Sequence, residues 1–256
     1  MPAFTTQPHY LTLADNVTLA YHRSPGNSPG VMFLGGFTSD MTGVKATTLE
    51  CWCQEREQAF LRFDYSGHGA SSGRFADGTI SRWAQEALAV LDQLTEGPQI
   101  LVGSSMGAWL MLLTALARPE RIAGLLGLAC AVGFTEYLLW ERLDDAQRLR
   151  LQQERVLALP SPYSETPYLI TLDLLEDAQR HRLLEQPALA ITCPVRLLHG
   201  MGDADVPWRI STQVAERLLS HDVQVFLVKD GEHTLSREQD LALLTRTLAE
   251  LLTVAH

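Results

Sequence analysis

The chain has 256 residues, of which 46% are hydrophobic and 20% are charged, and its formal net charge is -10. These values are typical of a folded domain with a sizeable core and exclude a largely disordered chain. The acidic balance, without any block of lysine or arginine, disfavours nucleic acids and acidic membrane surfaces as partners.

The expected compartment depends on what the sequence lacks. Every apolar run is shorter than the ~18 to 20 residues that a membrane span requires, so we expect no membrane span. The stretch from Met1 to Tyr10 has neither the character of a secretory signal nor the arginine-rich character of a mitochondrial presequence. Four cysteines without a paired pattern indicate free thiols, and Cys51 and Cys53 have no histidine nearby that would complete a metal site. We therefore expect a cytoplasmic protein without metal or cofactor; its oligomeric state is not indicated.

The first half of the chain alternates between short apolar runs and amphipathic runs. Tyr10 to Leu13 and Val17 to His22 alternate apolar and polar residues around Asp15-Asn16, which predicts an antiparallel hairpin. The pattern then predicts a loop over 24–30, a strand over 31–34, a helix over 42–55, a strand over 59–63, a loop over 65–73, a helix over 79–95, a strand over 100–102, a helix over 106–118 and a strand over 122–129.

The segment 134–187 differs in composition from the rest. It is rich in Glu, Asp, Arg, Gln and Leu, and it predicts a helix, a break at Pro160, Pro162 and Pro167, and a second helix. The alternation resumes with a strand over 195–199, a helix over 207–219, a strand over 223–228 and an amphipathic helix over 236–252. Repeated strand–helix units predict a mostly parallel sheet with helices on both faces.

The motif Gly103-Ser104-Ser105-Met106-Gly107 lies between a predicted strand and a predicted helix. In that context G-x-S-x-G is typical of a nucleophile elbow, a sharp turn that exposes the hydroxyl of Ser105 at the edge of a sheet. By itself the motif is weak, since a glycine-rich turn with a capping serine has the same sequence. A nucleophilic serine also needs an acid and a histidine.

Both partners follow in the chain. Asp203 lies shortly after the strand that ends at His199, and His233 follows the last predicted strand. The order Ser, Asp, His is that of the α/β-hydrolase triad and differs from the orders in chymotrypsin and subtilisin. Asp205 is an alternative acid in the same loop.

The chain resembles the α/β-hydrolase family over nearly its full length. The motifs that carry the resemblance are Gly35-Gly36-Phe37, Asp64-Tyr65-Ser66-Gly67-His68-Gly69-Ala70-Ser71, Gly103 to Gly107, and His199 to Pro207 with His233. The segments 37–43, 64–73 and 102–107 are similar to the branch of acyl-protein thioesterases and acyl-glucuronide esterases and its bacterial relatives.

The resemblance implies an α/β-hydrolase fold. Its features would be a mostly parallel eight-stranded sheet, an antiparallel N-terminal hairpin, helices on both faces and a helical lid. Residues 1–133 and 188–256 would then form the core, and 134–187 would be a lid inserted after the sixth strand.

The resemblance also implies a role for each residue of the triad. Ser105 would attack an acyl carbon, and His233 would take its proton and pass it to the leaving group. The family's acid stands three residues before a valine, here Val206, which selects Asp203 as the partner of His233. Asp205 would then cap the helix that starts near Pro207.

Other residues are expected to form the oxyanion hole, the acyl pocket and the turns around the site. By resemblance, the backbone N–H groups of Phe37 and Met106 would form the oxyanion hole. Tyr137, Leu138 and Trp140, together with Leu143, either line an acyl pocket or only seat the lid on the core. His68 is expected to have a structural role in its turn, and His199 is expected to order the loop that carries the acid.

The favoured function is that of a serine hydrolase that cleaves carboxylic esters or thioesters through an acyl-enzyme. Its substrate would be a small-molecule or protein-linked acyl group, as in an acyl-protein thioesterase or an acyl-glucuronide esterase. Two alternatives stay open: the same triad hydrolysing another bond, such as carbon–carbon, and a hydrolase fold used only for binding.

Overall fold

Short apolar segments that are buried on both faces form the sheet at the centre of the molecule. The computed structural model describes residues 7–160 and 167–254. In chain order the strands are β1 (His9–Thr12), β2 (Thr18–Ser24), β3 (Asn27–Leu34), β4 (Gln58–Phe63), β5 (Gln99–Ser104), β6 (Ile122–Leu128), β7 (Val156–Leu159), β8 (Tyr168–Thr171), β9 (Val195–Gly200) and β10 (Val223–Val228). Eight of them form one sheet in the order β1-β2-β4-β3-β5-β6-β9-β10, and β7 and β8 form a separate hairpin.

The sheet is antiparallel only at its N-terminal end. β2 runs antiparallel to both β1 and β4, and all other neighbours are parallel. Every residue of β5 and β9 is buried, as is typical of strands that helices cover on both faces. The predicted eight-stranded, mostly parallel sheet with an antiparallel N-terminal hairpin is therefore confirmed. The parallel strands bring the carboxyl ends of β3, β5, β9 and β10 to one edge.

Seven α-helices are found in the described part of the chain, and five of them cover the sheet. They are α1 (Val44–Gln54), α2 (Ile80–Leu94), α3 (Met106–Ala117), α4 (Asp145–Glu154), α5 (Leu172–Ala178), α6 (Arg209–Arg217) and α7 (Glu238–Val254). Apolar residues of α1 and α7 pack on one face, and those of α2, α3 and α6 pack on the other. None of the helices in the described ranges is long and apolar enough to cross a bilayer.

One predicted element is wrong, and another is incomplete. The segment 24–30 is not a loop, because β3 starts at Asn27 and pairs with β4 through a bulge before Val31. The Gln58 side-chain amide donates 2.7 Å to the Asn27 carbonyl oxygen, so pairing across the sheet outweighs the local excess of proline and glycine.

The segment 134–187 contains the two predicted helices, α4 and α5, but also other elements. It starts with a π-helical turn (Thr135–Leu139) and a short 3-10 turn (Trp140–Arg142), and it includes the β7–β8 hairpin between α4 and α5. α4 ends at Arg155, whose φ of 60° turns the chain into β7. Of the predicted proline-rich break, Pro162 lies outside the described residues. That this segment is a lid stays a prediction.

His68 is a buried core residue on the face covered by α2. Its ring lies 5.7 Å from that of Tyr65, 5.1 Å from Phe75 and 5.2 Å from Trp83, centroid to centroid. Nδ1 lies 3.1 Å from the Ser66 carbonyl oxygen, and Nε2 has no hydrogen-bond partner among the described residues. Burial lowers the pKa of His68 to about 4, although the Ser66 hydrogen bond and the Asp40 carboxylate act in the opposite direction. This environment agrees with the structural role expected for His68.

The low pKa of His68 predicts a loss of stability in mild acid. The unfolded chain binds a proton at this histidine near pH 6.5, whereas the folded chain resists it down to about pH 4. Its contribution to the free energy of unfolding is therefore complete above pH 6.5 and is lost as the pH falls toward 4. Between pH 7.5 and 5.0 the stability advantage of the wild type over His68→Gln should shrink by about 2 kcal/mol in urea titrations.

A control separates titration from packing. Leu94→Ala removes apolar contacts at the other end of α2 without removing a titrating group, so its stability deficit should be the same at both pH values. If the difference in the free energy of unfolding between the wild type and His68→Gln does not change with pH, then His68 is protonated as easily in the folded state as in the unfolded state.

Candidate active site

Ser105 lies at a sharp turn between β5 and α3. Its backbone has φ 56° and ψ -119°, a strained region for a residue with a side chain. Its N–H donates 2.8 Å to the Leu128 carbonyl oxygen on β6, and its own carbonyl oxygen accepts from Ala108 and Ala131. These bonds to α3 and to the segment after β6 hold the turn in place.

The two glycines of the motif are required by close backbone contacts. A Cβ at Gly103 would lie 2.5 Å from the Gly107 carbonyl oxygen, and a Cβ at Gly107 would lie 2.1 Å from the Leu34 carbonyl oxygen. Real Cβ atoms essentially never approach so closely. The spacing of the motif thus reflects a turn in which α3 folds back directly over β5 and β3.

Of the predicted triad residues, His233 lies within hydrogen-bond distance of both Ser105 and Asp203. His233, in the loop after β10, places Nε2 3.0 Å from Ser105 Oγ. Its Nδ1 lies 2.8 Å from Oδ2 of Asp203, which is in the loop after β9. Residues that are 128 and 30 positions apart thus meet at the carboxyl edge of the sheet. The arrangement matches that of a nucleophile, a base and an acid that orients the base.

The carboxylate of Asp203 is fully buried and accepts several hydrogen bonds. Oδ1 accepts from the backbone N–H groups of Asp205 (2.9 Å) and Val206 (2.8 Å). Oδ2 lies 3.1 Å from His199 Nε2 in addition to its contact with His233. Burial alone would raise the pKa of Asp203, but the hydrogen bonds from His199, His233 and the Val206 amide outweigh it and hold the pKa well below its usual range. Asp203 is therefore a carboxylate at neutral pH.

Asp205, the alternative acid, also lies close to His233. It borders the cavity above Ser105, and its side chain, with those of Asp203 and His233, offers ligand atoms within 4.8 Å of one another. Such a cluster could hold a cation, but the hydrogen bonds described above already occupy Asp203. The predicted helix cap is wrong, because α6 begins at Arg209 and Trp208 is its N-cap.

Phe37 and Met106, whose N–H groups the resemblance assigns to an oxyanion hole, border the same cavity as Ser105. Gly36 lies against the elbow, since a Cβ built on it would be 3.4 Å from Ser105 Cβ. Met106 is the first residue of α3, where backbone N–H groups have no partner within the helix. Within 7–160 and 167–254, neither N–H group donates a hydrogen bond. Two free donors beside a hydroxyl can stabilise a negatively charged oxygen.

A cavity of about 520 Å³ opens above Ser105, within the size range of small-molecule sites. Its apolar wall comes mainly from the segment after β6: Phe134, Leu138, Leu139, Leu143, Leu159 and Tyr168.

Two of the four residues that were predicted either to line an acyl pocket or to seat the lid border this cavity. They are Leu138 and Leu143, whereas Tyr137 and Trp140 do not border it. Tyr137 points to the other side of the π-helical turn, where its hydroxyl is buried without a partner among the described residues. Trp140 packs against the core and lies 5.5 Å from the guanidinium carbon of Arg148.

Sequence reasoning missed two cationic residues at the rim. Nζ of Lys45 on α1 donates 2.6 Å to the Thr234 carbonyl oxygen, next to His233, and burial lowers the pKa of Lys45 to about 8. Arg142 donates from Nη2 to the carbonyl oxygens of Ala204 (3.3 Å) and Asp205 (3.4 Å), and so connects the segment after β6 to the loop of the acid. The only available signal was the rarity of lysine, since Lys45 is one of two in the chain.

Comparisons with known proteins identify the family of this chain. A model described as the alpha/beta hydrolase family matches residues 36–245. The palmitoyl-protein thioesterase ABHD10, mitochondrial, of Mus musculus is 42% identical over 245 residues, which cover 95% of this chain and 82% of the mouse protein.

Two solved structures share the fold and a substantial part of the sequence. Mouse alpha/beta hydrolase domain-containing protein 10 aligns with a TM-score of 0.88 and 41% identity, over 97% of this chain and 99% of the mouse chain. A protein from Agrobacterium vitis S4 aligns with a TM-score of 0.91 and 37% identity, over 96% of this chain and 98% of the bacterial one.

The relatives contradict the predicted cytoplasmic location. The mouse protein and its relatives from cow, orangutan, rat and human are all named as mitochondrial. The free thiols of Cys51, Cys53, Cys130 and Cys193, on which the prediction partly depended, do not distinguish the two compartments. The prediction of a cytoplasmic location is therefore wrong.

The contact of Gly107 with β3 predicts a strong effect of a single methyl group. Gly107→Ala would drive a Cβ into the Leu34 and Gly35 carbonyl oxygens, so the elbow must shift or open. We expect the free energy of unfolding, measured by urea titration, to fall by more than about 2 kcal/mol. Gly35→Ala is the matched control, because a Cβ there meets no atom within 4 Å. Equal stability of the two variants would contradict the close packing of the elbow.

Proposed function

The chain belongs to the alpha/beta hydrolase family, and we propose that it is a serine thioesterase that removes fatty acyl groups from protein thiols. The observation that carries the proposal is the continuous contact of Ser105 Oγ, His233 and Asp203, at 3.0 Å and 2.8 Å, beneath an apolar cavity. The choice of a protein-linked thioester rests on the similarity to mouse palmitoyl-protein thioesterase ABHD10.

The hydrogen bonds determine how the triad would act. Asp203 is ionised and can only accept, so His233 carries its hydrogen on Nδ1 and presents a lone pair on Nε2 to Ser105. His233 can then take the Ser105 proton as the oxygen attacks the acyl carbon of the thioester. The Asp203 carboxylate stabilises the imidazolium that forms.

Collapse of the tetrahedral intermediate would break the carbon–sulfur bond. His233 returns the proton to the departing sulfur, and the acyl group stays on Ser105 as an oxygen ester. Water, activated by the same Nε2, then attacks this ester and releases the fatty acid and free Ser105. The thiol product and the acid product account for all atoms of the substrate and one water.

The negative charge that develops on the acyl oxygen would be stabilised by the Phe37 and Met106 N–H groups. Each such donor is worth roughly 3 to 4 kcal/mol in other hydrolases. Packing holds both residues that carry these donors: the half-buried Phe37 ring packs on Phe75 and Phe134, and Met106 is fully buried. Because they are fixed before the reaction, little reorganisation is needed as the charge appears.

The segment 134–187 would act as the lid that receives the acyl chain. Leu138, Leu139 and Leu143 from its first part and Leu159 and Tyr168 from its hairpin form the apolar wall of the cavity. An acyl chain in this cavity is removed from water, which stabilises the bound substrate by about 0.8 kcal/mol per methylene. Leu138 is the predicted substrate contact that we retain.

Replacing the nucleophile tests the proposal directly. Ser105→Ala should lower the rate of hydrolysis of a palmitoyl-cysteine peptide by at least about a thousandfold, because it removes the hydroxyl that lies against the base His233. The release of thiol measures thioester cleavage, and p-nitrophenyl esters of several chain lengths measure oxygen-ester cleavage.

Ser220→Ala, before β10 and at the opposite edge of the sheet, is the control and should retain full activity. Turnover by Ser105→Ala equal to that of the wild type would exclude a serine hydrolase. Ser105-dependent cleavage of oxygen esters with no cleavage of thioesters would keep the hydrolase and exclude the thioesterase.

The two acidic residues of the loop after β9 can be distinguished by charge removal. Asp203→Asn presents an amide to His233 and disturbs its tautomer, so kcat on the palmitoyl peptide should fall by roughly a thousandfold to ten-thousandfold. In Asp205→Asn, kcat should fall by less than about tenfold, because the hydrogen bond of Asp203 to His233 Nδ1 is kept. A larger loss in Asp205→Asn than in Asp203→Asn would reverse the assignment.

A further inference from the structure

A chain of buried polar groups extends from the core of the molecule to Asp203. His199, at the end of β9, lies 3.1 Å from Asp203 Oδ2 through its Nε2. Its Nδ1 lies 2.7 Å from the hydroxyl oxygen of Ser211 on α6. The Cys130 thiol, just after β6, is close enough to the Ser211 hydroxyl for that hydroxyl to lower its pKa, against the larger effect of burial. All four side chains are excluded from solvent.

The partners of His199 determine the direction of these hydrogen bonds. Nε2 faces two acceptors, Asp203 Oδ2 and the Val206 carbonyl oxygen, each at 3.1 Å, so Nε2 carries the hydrogen. Nδ1 then accepts from the Ser211 hydroxyl, which is the arrangement expected of a fully buried imidazole. Burial raises the pKa of Cys130 to about 12, so its thiol stays protonated and can donate to Ser211.

His199 therefore acts on the same oxygen that holds His233. Asp203 Oδ2 receives one N–H from each histidine, while Oδ1 is occupied by the Asp205 and Val206 amides. Without His199 the carboxylate would lose one of four donors, on the side that faces His233. Both the orientation of the carboxylate and the negative charge on the oxygen that contacts His233 would change.

We propose that His199, held in one tautomer by Ser211, is a positioning residue that orients the Asp203 carboxylate toward His233 and withdraws part of its charge. This inference rests on the proposed function of the triad. His199 would thus be a fourth side chain of the site, one that does not touch the substrate but affects the orientation and the basicity of His233 through Asp203.

Two substitutions at one position separate hydrogen bonding from packing. His199→Leu fills the site without a donor, and His199→Gln places its amide nitrogen the same number of bonds from Cα as Nε2, so that donation to Asp203 can persist. On the palmitoyl-cysteine peptide, His199→Leu should lower kcat by roughly tenfold to a hundredfold with little change in KM. His199→Gln should recover most of this loss.

The pH profile gives a readout that a loss of packing would not move. When His199 no longer withdraws charge, the Asp203 carboxylate attracts the imidazolium of His233 more strongly, and the acid limb of kcat/KM shifts to higher pH. We expect a shift of roughly half a pH unit or more in His199→Leu and a smaller one in His199→Gln. The other titratable or charged groups that the structure places near Asp203 and His233 are present in every variant: Tyr137, Asp205, Cys130, Arg142 and Lys45.

The controls make the outcomes distinct. Thr247→Val removes an equally buried hydroxyl from α7, far from the site, and should leave kcat and the acid limb unchanged. Turnover by Ser105→Ala equal to that of the wild type would overturn the proposed function itself. If Ser105→Ala is inactive but His199→Leu keeps the wild-type kcat and acid limb, only the role of His199 is overturned.

The proposal would also be overturned if kcat fell as much in His199→Gln as in His199→Leu while the acid limb of kcat/KM did not move. His199 would then act through packing alone. If His199→Leu does not fold, Ser211→Ala decides the question, because it removes only the hydroxyl that orients His199. It should shift the acid limb in the same direction, and an unmoved limb would overturn the proposal.

Discussion

The candidate site depends on one backbone conformation, that of Ser105. Its positive φ is unfavourable for a residue with a side chain, and the surroundings must hold it there. The hydrogen bond to Leu128, the two that its carbonyl oxygen accepts, and the contact of Gly107 with Leu34 all do so. The strain directs the hydroxyl out of the sheet edge, where the loops of Asp203 and His233 arrive because β9 and β10 run parallel to β5.

The chemistry expected of the site follows from how its charge is distributed. Asp203 is buried, which is costly for an anion, yet four hydrogen bonds more than compensate and keep it ionised. Ser105 and His233 lie at the boundary between this buried charge and the cavity. An acyl group bound in the cavity would therefore meet a nucleophile, a base and two free N–H donors without bringing water with it.

The sequence was sufficient for the parts of the molecule that follow from local pattern and chain order. The strand–helix alternation predicted the sheet, and the positions of Ser105, Asp203 and His233 after three strands predicted that they would meet. It was insufficient to predict features that depend on contacts between residues far apart in the chain or on irregular backbone. The hydrogen bond of Lys45 joins it to a carbonyl oxygen 189 residues away. The β7–β8 hairpin consists of two four-residue strands that pair with each other, and the direction of Tyr137, away from the cavity, depends on a π-helical turn that no helical periodicity indicates.

The ring of Phe37 connects parts of the molecule that are otherwise separate. It follows directly from β3, yet it contacts Tyr168 on β8 at 5.8 Å and Phe134 before the π-helical turn at 5.3 Å, centroid to centroid. A displacement of the hairpin would therefore change the packing around this ring, and with it the surroundings of the N–H group that is proposed to stabilise the acyl oxygen. Under the proposed function, the size of the acyl group that the cavity admits and the placement of that donor would not be independent of each other.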